Sequence, residues 1–427
     1  MSSMKATVYP GKCAGEVVIP PSKSMSHRAI ICAALSHGTS VISNVAYSDD
    51  ILATIEAVKA MGANVEKEGD VLTITGNDGL IQATSTTIDC AESGSTLRFI
   101  IPLFSLSNQK ITFVGHNRLM KRPQDIYKTM FEAQGLAFHQ ENDLLTIEGS
   151  LKAQKYVING NISSQFISGL LFTLPLLKND STLEIIPPFE SQSYVNLTIE
   201  LLNKFGIQIH KIDDLHYRIP GNQSYHANNY RVEGDYSQLG FHAVLAAINN
   251  DLKLSGISKD SQQGDRIILD FLTQCGVNVE VFDDYCIVHH SSINAHSLDL
   301  ADCPDLGPIL TILGMYSEGE LTLENCARLR LKESDRIAAM EDGLRKLSVS
   351  IHSDENTIYM NNPDKDYHGN VTIDGAKDHR IVMSFAVAAT TLDAPLTITN
   401  AQAINKSYPS FFDDLTSLGI KVVISDD

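Results

Sequence analysis

Apolar and polar positions alternate along the chain in a pattern that repeats about every seventy residues. One recurring unit is an amphipathic helix pattern that closes on a small residue and runs into an alternating strand. It occupies 51–66 around Gly62, 125–139 around Gly135, 195–210 around Gly206, 266–281 around Gly276, 336–352 around Ser348 and 411–424 around Gly419. Successive pivots lie 73, 71, 70, 72 and 71 residues apart. Glycine after a helix suits a left-handed position, and Ser348 is the one departure. A second helix pattern is interleaved with the first, each copy starting from a polar loop at Ser26, Ser95, Ser164, Ser237, Asp305 and His379. These helices, such as 166–177 and 241–248, are apolar nearly all round, as helices at a domain centre are. The first set should lie against sheets with one face wet. The expectation is an α/β protein of six strand–helix–strand–helix copies, with the polar starts of the inner helices pointing one way.

The first polar loop is the most distinctive. Positions 20–28 read Pro20-Pro21-Ser22-Lys23-Ser24-Met25-Ser26-His27-Arg28, between a strand-like run and the apolar stretch 29–35. Amide N–H groups at a helix start attract anions, and Lys23, Arg28 and serine hydroxyls beside them make a site for phosphate or carboxylate. The plainer alternative is that Ser22 or Ser24 caps the helix while Lys23 and Arg28 face water.

Composition sharpens that choice. The 427 residues exceed what one core organises, so two domains are expected, and six repeats divide most simply into two lobes of three. Lys plus Arg number 33 against 51 acidic residues, a net charge of −18, which opposes nucleic-acid binding through the overall field and leaves basic residues to act locally. Seven scattered cysteines without a Cys-x-x-Cys pair read as reduced thiols in a cytoplasmic chain, without a disulfide frame or zinc site. Neither a leader nor a run of apolar residues long enough to span a membrane is visible.

The inner-helix starts and adjoining loops collect Lys23, Arg28, Arg98, Arg122, Ser163-Ser164-Gln165, Asp305, Lys332-Glu333-Ser334-Asp335-Arg336, Asp378-His379-Arg380 and Lys406. Guanidinium forks pair with phosphate and carboxylate oxygens at two points, so arginines recurring in register suit small polyanions. Asp305 and Glu333 stand out because a carboxylate among arginines lowers anion affinity, which suggests proton transfer or recognition of substrate hydroxyls. An ion pair that orients a neighbouring arginine is the alternative. No nucleoside-triphosphate loop, dinucleotide fingerprint or nucleophile elbow is present.

These motifs together resemble the 5-enolpyruvylshikimate-3-phosphate (EPSP) synthases, the 3-phosphoshikimate 1-carboxyvinyltransferases. The resemblance runs through Ser22-Lys23-Ser24 with His27-Arg28, Gly94-Ser95-Thr96-Leu97-Arg98, Arg122-Pro123, Ser163-Ser164-Gln165-Phe166, Tyr194, Asp305, Lys332 to Arg336, Asp378 to Arg380 and Lys406, in order over the whole chain. It implies a two-lobed inside-out α/β barrel of the enolpyruvyl transferase type, six βαβαββ repeats, three per lobe, closing over phosphoenolpyruvate and shikimate 3-phosphate. The first lobe is then 21–233 and the second 1–20 plus 234–427, with hinges near Pro20 and Gly234. By the same resemblance Lys23, Gly94, Arg122, Gln165, Arg336, Arg380 and Lys406 hold phosphoenolpyruvate. Lys23, Ser24, Arg28, Ser163, Ser164, Gln165, Ser191, Tyr194, Asp305 and Lys332 hold shikimate 3-phosphate. Lys23, Asp305 and Glu333 are the catalytic groups, with Asp305 receiving the proton of the attacking hydroxyl and Glu333 protonating the methylene carbon. The resemblance implies no metal or other cofactor, no nucleic-acid or membrane partner, and a cytoplasmic monomer.

Three places depart from well-known bacterial members. Glu92-Ser93 precede Gly94 where those have Asn-Ala, Phe99 follows Arg98 where they have proline, and Arg328 replaces an asparagine. Two other readings compete. The sister family, UDP-N-acetylglucosamine 1-carboxyvinyltransferase, has Lys-Asn in the opening loop and a reactive cysteine before Arg-Pro, whereas 116–121 here contains none. A non-catalytic binder of phosphorylated metabolites would gain little from Asp305 and Glu333.

Overall fold

The computed structural model describes residues 4–426, which form two compact units, one of residues 4–20 with 234–426 and one of Pro21–Glu233. Each has its own apolar core, and no residue is shared between the two. Twelve α-helices occur among the described residues. The inner set is α1 Lys23–Leu35, α3 Gly94–Ser105, α5 Ser164–Thr173, α7 Tyr236–Ile248, α9 Gly307–Met315 and α11 His379–Ala389. The outer set is α2 Asp49–Ala60, α4 Asp125–Ala133, α6 Gln192–Lys204, α8 Ile268–Gln274, α10 Arg336–Lys346 and α12 Phe411–Ser417. Both sets match the sequence pattern. Every residue of α7 and α9 is buried, whereas α2 buries Ile51, Ile55 and Val58 and leaves Glu56 and Lys59 to solvent.

Each unit carries three four-stranded sheets of one design, a parallel pair followed by two antiparallel strands. In the Pro21–Glu233 unit, Lys155–Asn159 runs parallel to Ser181–Ile186, and His216–Ile219 and His210–Lys211 continue antiparallel. Strand, inner helix, strand, outer helix and two strands make the expected βαβαββ repeat. The two chain segments around Pro20 complete repeats that sequence order alone leaves open. Gly15–Val18 pairs in parallel with Leu252–Ser255, and Met4–Val8 lies between Leu396–Thr399 and Val422–Asp426. In the other unit Tyr230–Arg231 supplies the parallel edge beside Thr39–Ser43. The strand that precedes α1 in sequence therefore belongs to a different unit from α1.

All six pivots adopt positive φ, including Ser348 at 66°. The turn thus survives the loss of glycine, and its backbone geometry is the repeated feature. A left-handed L-residue is strained by about 1–2 kcal/mol. Ser348→Gly is expected to stabilise its unit by about 1 kcal/mol, measured as an upward shift of the urea midpoint at constant slope; an unchanged midpoint would show that the serine is not strained there.

Five of the six inner helices begin with a side-chain cap. Ser22, Ser93, Ser163, Asp235 and Asp378 accept hydrogen bonds from first-turn amides of α1, α3, α5, α7 and α11. The exception is α9, which is entered through a 3-10 turn, Pro304–Leu306, with no side-chain cap. The Asp305 carboxylate is on that turn and is directed to other partners. No helix of the described residues is long and apolar enough to cross a membrane.

Candidate active site

In the Pro21–Glu233 unit the starts of α1, α3 and α5 gather the first group of candidates. Ser22 does cap α1, yet neither basic residue of that turn faces water. Lys23 Nζ lies 2.7 Å from Asp50 Oδ2 in the first turn of α2. Arg28 is 2% exposed, donates from Nε to Thr198 Oγ1 at 2.8 Å, from Nη1 to the Ser24 carbonyl at 2.8 Å and from Nη2 to the Tyr194 carbonyl at 3.1 Å, and lies over the Phe99 ring. Burial lowers its pKa to about 10, so it stays charged at neutral pH. Arg28 therefore ties Ser24 and Tyr194, two candidates 170 residues apart in sequence, to one point. Ser191, the left-handed residue before α6 at φ 56°, is buried one turn away from Tyr194.

Arg122 is buried against Gly94. A methyl group on Gly94 would sit 2.7 Å from Arg122 Nη1 and 2.9 Å from Cζ, so any larger residue there would push the guanidinium from its present place. Arg98 organises the neighbouring loop, donating from Nη1 to Gln165 Oε1 at 2.9 Å and from Nη2 to the Pro123 carbonyl at 2.9 Å. The Gln165 amide is turned further by donation to Ser95 Oγ at 3.0 Å. Ser163 caps α5 through the Gln165 N–H, and Ser164 beside it is buried. Below these groups runs a buried chain, His27 Nδ1 to Thr54 Oγ1, Thr54 to Thr96 and Thr96 to Ser93, each step 2.7 Å. Burial, aided by Lys23 and Arg28, lowers the His27 pKa well below its usual value, so the ring is neutral and supports its loop.

In the other unit all the remaining candidates but Lys406 gather around one guanidinium. Arg336, 1% exposed, reaches Asp378 Oδ2 from Nε at 2.8 Å, Asp305 Oδ1 from Nη1 at 2.9 Å and Glu333 Oε2 from Nη2 at 2.7 Å. Asp305 also faces Lys332 Nζ at 3.3 Å and Arg380 Nη2 at 3.2 Å. Three carboxylates and three cations thus alternate in one cluster. Burial works against the charge of Arg336, but Asp378, Glu333 and Asp305 outweigh it and raise its pKa. For Lys332 the balance is reversed: burial lowers its pKa despite Asp305. Lys406 ends the 3-10 segment Ala401–Lys406 and donates to the Lys377 carbonyl at 2.6 Å, just before the α11 cap.

Some partners had no sequence signal of their own. Asp50 looked like an ordinary acid in a helix first turn, and Ser237, which accepts from Arg380 Nη2 at 2.9 Å, like an ordinary first-turn serine. Asp378 was visible as part of the Asp378-His379-Arg380 motif, but its pairing with Arg336 was not. The three departures are accommodated locally. Glu92 accepts from Asn117 Nδ2 at 2.7 Å, Phe99 packs between Arg28 and Phe172, and Arg328 donates to the Ala301 carbonyl at 2.6 Å.

Repeated βαβαββ units with clustered cations at the inner-helix starts are the architecture of an enolpyruvyl transferase. The fold matches EPSP synthase from Acinetobacter baumannii with a TM-score of 0.82 at 24% identity, covering 99% of this chain and all of that one. It also matches the enolpyruvyl transferase NikO from Streptomyces tendae with a TM-score of 0.80 at 15% identity over the whole of both chains. The family model for EPSP synthase (3-phosphoshikimate 1-carboxyvinyltransferase) matches residues 8–415. Proteins named 3-phosphoshikimate 1-carboxyvinyltransferase from Clostridium perfringens strain SM101 and Clostridioides difficile strain 630 are 42% and 40% identical, over 97% and 99% of this chain and 98% of each of theirs. The chain belongs to the EPSP synthase family.

Proposed function

We propose that the chain transfers the 1-carboxyvinyl group of phosphoenolpyruvate to the 5-hydroxyl of shikimate 3-phosphate, giving EPSP and inorganic phosphate on the route to chorismate and the aromatic amino acids. The observation that carries this reading is the placement of Asp305 and Glu333 on one buried arginine, at 2.9 and 2.7 Å, with Lys332 and Arg380 beside them. A receptor for anions would be weakened by both carboxylates; a catalyst that moves two protons uses them.

Lys23, Gly94, Arg122, Gln165, Arg336, Arg380 and Lys406 form the phosphoenolpyruvate set. Ser24, Arg28, Ser163, Ser164, Ser191, Tyr194 and Lys332, with Lys23, Gln165 and Asp305, form the shikimate 3-phosphate set. Both substrates are anionic, so cations must offset their repulsion before the reacting atoms can approach. Asp305 takes the proton of the 5-hydroxyl as its oxygen bonds to C2 of phosphoenolpyruvate, and Glu333 delivers a proton to C3. The product of addition is a tetrahedral ketal phosphate. Return of a C3 proton to Glu333, which gave one up in the addition, then restores the double bond as the C2–O bond breaks and inorganic phosphate leaves. Four Arg336 hydrogen bonds to carboxylates engage four of its five N–H donors, so it orients the acids and leaves one Nη1 hydrogen for an incoming anion.

The test is phosphate release from phosphoenolpyruvate with each acceptor. Release that requires shikimate 3-phosphate supports the reading; release only with UDP-N-acetylglucosamine, or with neither, overturns it. Glu333→Gln is expected to lower kcat by about 10²–10⁴-fold while the dissociation constant for shikimate 3-phosphate changes little. A parallel collapse of acceptor affinity by calorimetry would reassign Glu333 to binding.

A further inference from the structure

The segment that carries Lys406 is anchored from within the core of its unit by a polar pair. Tyr408, two residues on, is fully buried, and its hydroxyl lies 2.9 Å from His242 Nε2 in the middle of α7. Both rings pack edge-on or tilted against Phe411. A neutral imidazole has one N–H to give, and a phenol oxygen can either donate or accept. The other ring nitrogen, Nδ1, has no partner among the described residues, as befits a bare lone pair instead of an N–H, so His242 carries its proton on Nε2 and donates to the Tyr408 oxygen. Burial brings the His242 pKa down to about 3, which keeps the ring neutral.

A hydrogen-bonded His–Tyr pair in the midst of Phe241, Phe411 and Phe412 is not needed to fill space, because an apolar pair of similar volume would pack there. What it adds is direction. The Tyr408–His242 hydrogen bond fixes Tyr408 along α7, and the backbone bonds from Ser407 and Tyr408 N–H to the Ile404 carbonyl, 3.0 and 2.8 Å, pass that constraint to Lys406 between them.

We infer that His242 and Tyr408 are positioning residues for Lys406, holding its ammonium where it meets phosphoenolpyruvate without touching substrate themselves. The inference deepens the proposed function and rests on the assignment of Lys406 to that substrate. Neither residue was among the sequence candidates.

Steady-state kinetics of three single variants test it, each substrate varied with the other saturating. Tyr408→Phe removes one oxygen and leaves the His242 N–H unpaired; its KM for phosphoenolpyruvate is expected to rise about tenfold while that for shikimate 3-phosphate stays within about twofold. His242→Gln retains an N–H donor toward Tyr408 and is expected to restore a phosphoenolpyruvate KM near that of the unaltered protein. Lys406→Ala is expected to raise the same KM at least as far as Tyr408→Phe. If Lys406→Ala leaves that KM unchanged, the substrate assignment fails. If Lys406→Ala raises it but Tyr408→Phe only lowers the melting temperature, or moves both KM values together, the positioning role is overturned and the assignment stands.

Discussion

Lys23→Met is expected to lower kcat/KM by about 10²–10³-fold with both substrates present, because in the role proposed for Lys23 its ammonium offsets the developing negative charge. The structure adds a second consequence. Lys23 is paired with Asp50, whose side chain is only 9% exposed, so the single variant leaves a nearly buried carboxylate without that cation. A stability loss of about 1–3 kcal/mol should accompany the loss of activity. The double variant Lys23→Met with Asp50→Asn separates the two effects, since it should recover most of the stability and none of the rate. Rates close to those of the unaltered protein in a variant of normal melting temperature would remove Lys23 from the catalytic groups.

Arg336→Met should destabilise its own unit by about 3–5 kcal/mol, the usual consequence of stranding buried charge when one partner of an ion pair is deleted. Asp378 is fully buried; Ser334 and the Arg380 amide are its other hydrogen-bond donors, and His379 Nδ1 lies farther off at 3.8 Å, so none of them replaces the guanidinium in direct contact. The pH dependence of the effect follows from Asp378. Burial pushes its carboxyl upward, but Arg336 outweighs burial and the net pKa is below the usual value. That group therefore contributes stability above about pH 4, the unfolded carboxyl pKa, and the contribution is lost as pH falls through the lower folded value. Without Arg336 burial prevails, the carboxyl rises above its usual pKa, and protonation becomes favourable to the folded state. The stability gap between the two proteins should consequently narrow as the pH is lowered from 7 toward 4, measured by urea unfolding followed for this unit. A gap that is constant over that range, or smaller than about 1 kcal/mol at pH 7, would mean that Arg336 is not what holds Asp378 ionised.

Much of the fold was legible because the repeat is written in local chemistry. A helix that ends in a left-handed residue, and an apolar helix that begins in a polar loop, leave marks within about a dozen residues, and six copies in register make the pattern hard to produce by chance. Even Ser348, the apparent exception, proved to share the backbone conformation of the five glycines. The candidate residues were legible for a related reason, since motifs such as Lys332 to Arg336 keep their functional groups within one turn.

Pairing across the chain was not legible in this way. Nothing near Lys23 names Asp50, 27 residues on, and nothing near Arg336 names Asp378, 42 residues on. His242 falls inside the apolar stretch 241–248 without a mark of its own, and its hydrogen bond to Tyr408 spans 166 residues. Nor could local pattern decide that Met4–Val8 would lie beside Leu396–Thr399 to complete a sheet.

The amino-acid order by itself settled the periodicity, the classes of helix, the family-bearing motifs and the residue types available to bind anions and move protons, because those depend on neighbours along the chain. Which carboxylate meets which cation, which serine caps and which ring anchors Lys406 were decided only in the folded units, where burial removes water as the competing partner and each charged or hydrogen-bonding group must take whatever complementary atom packing brings within about 3 Å.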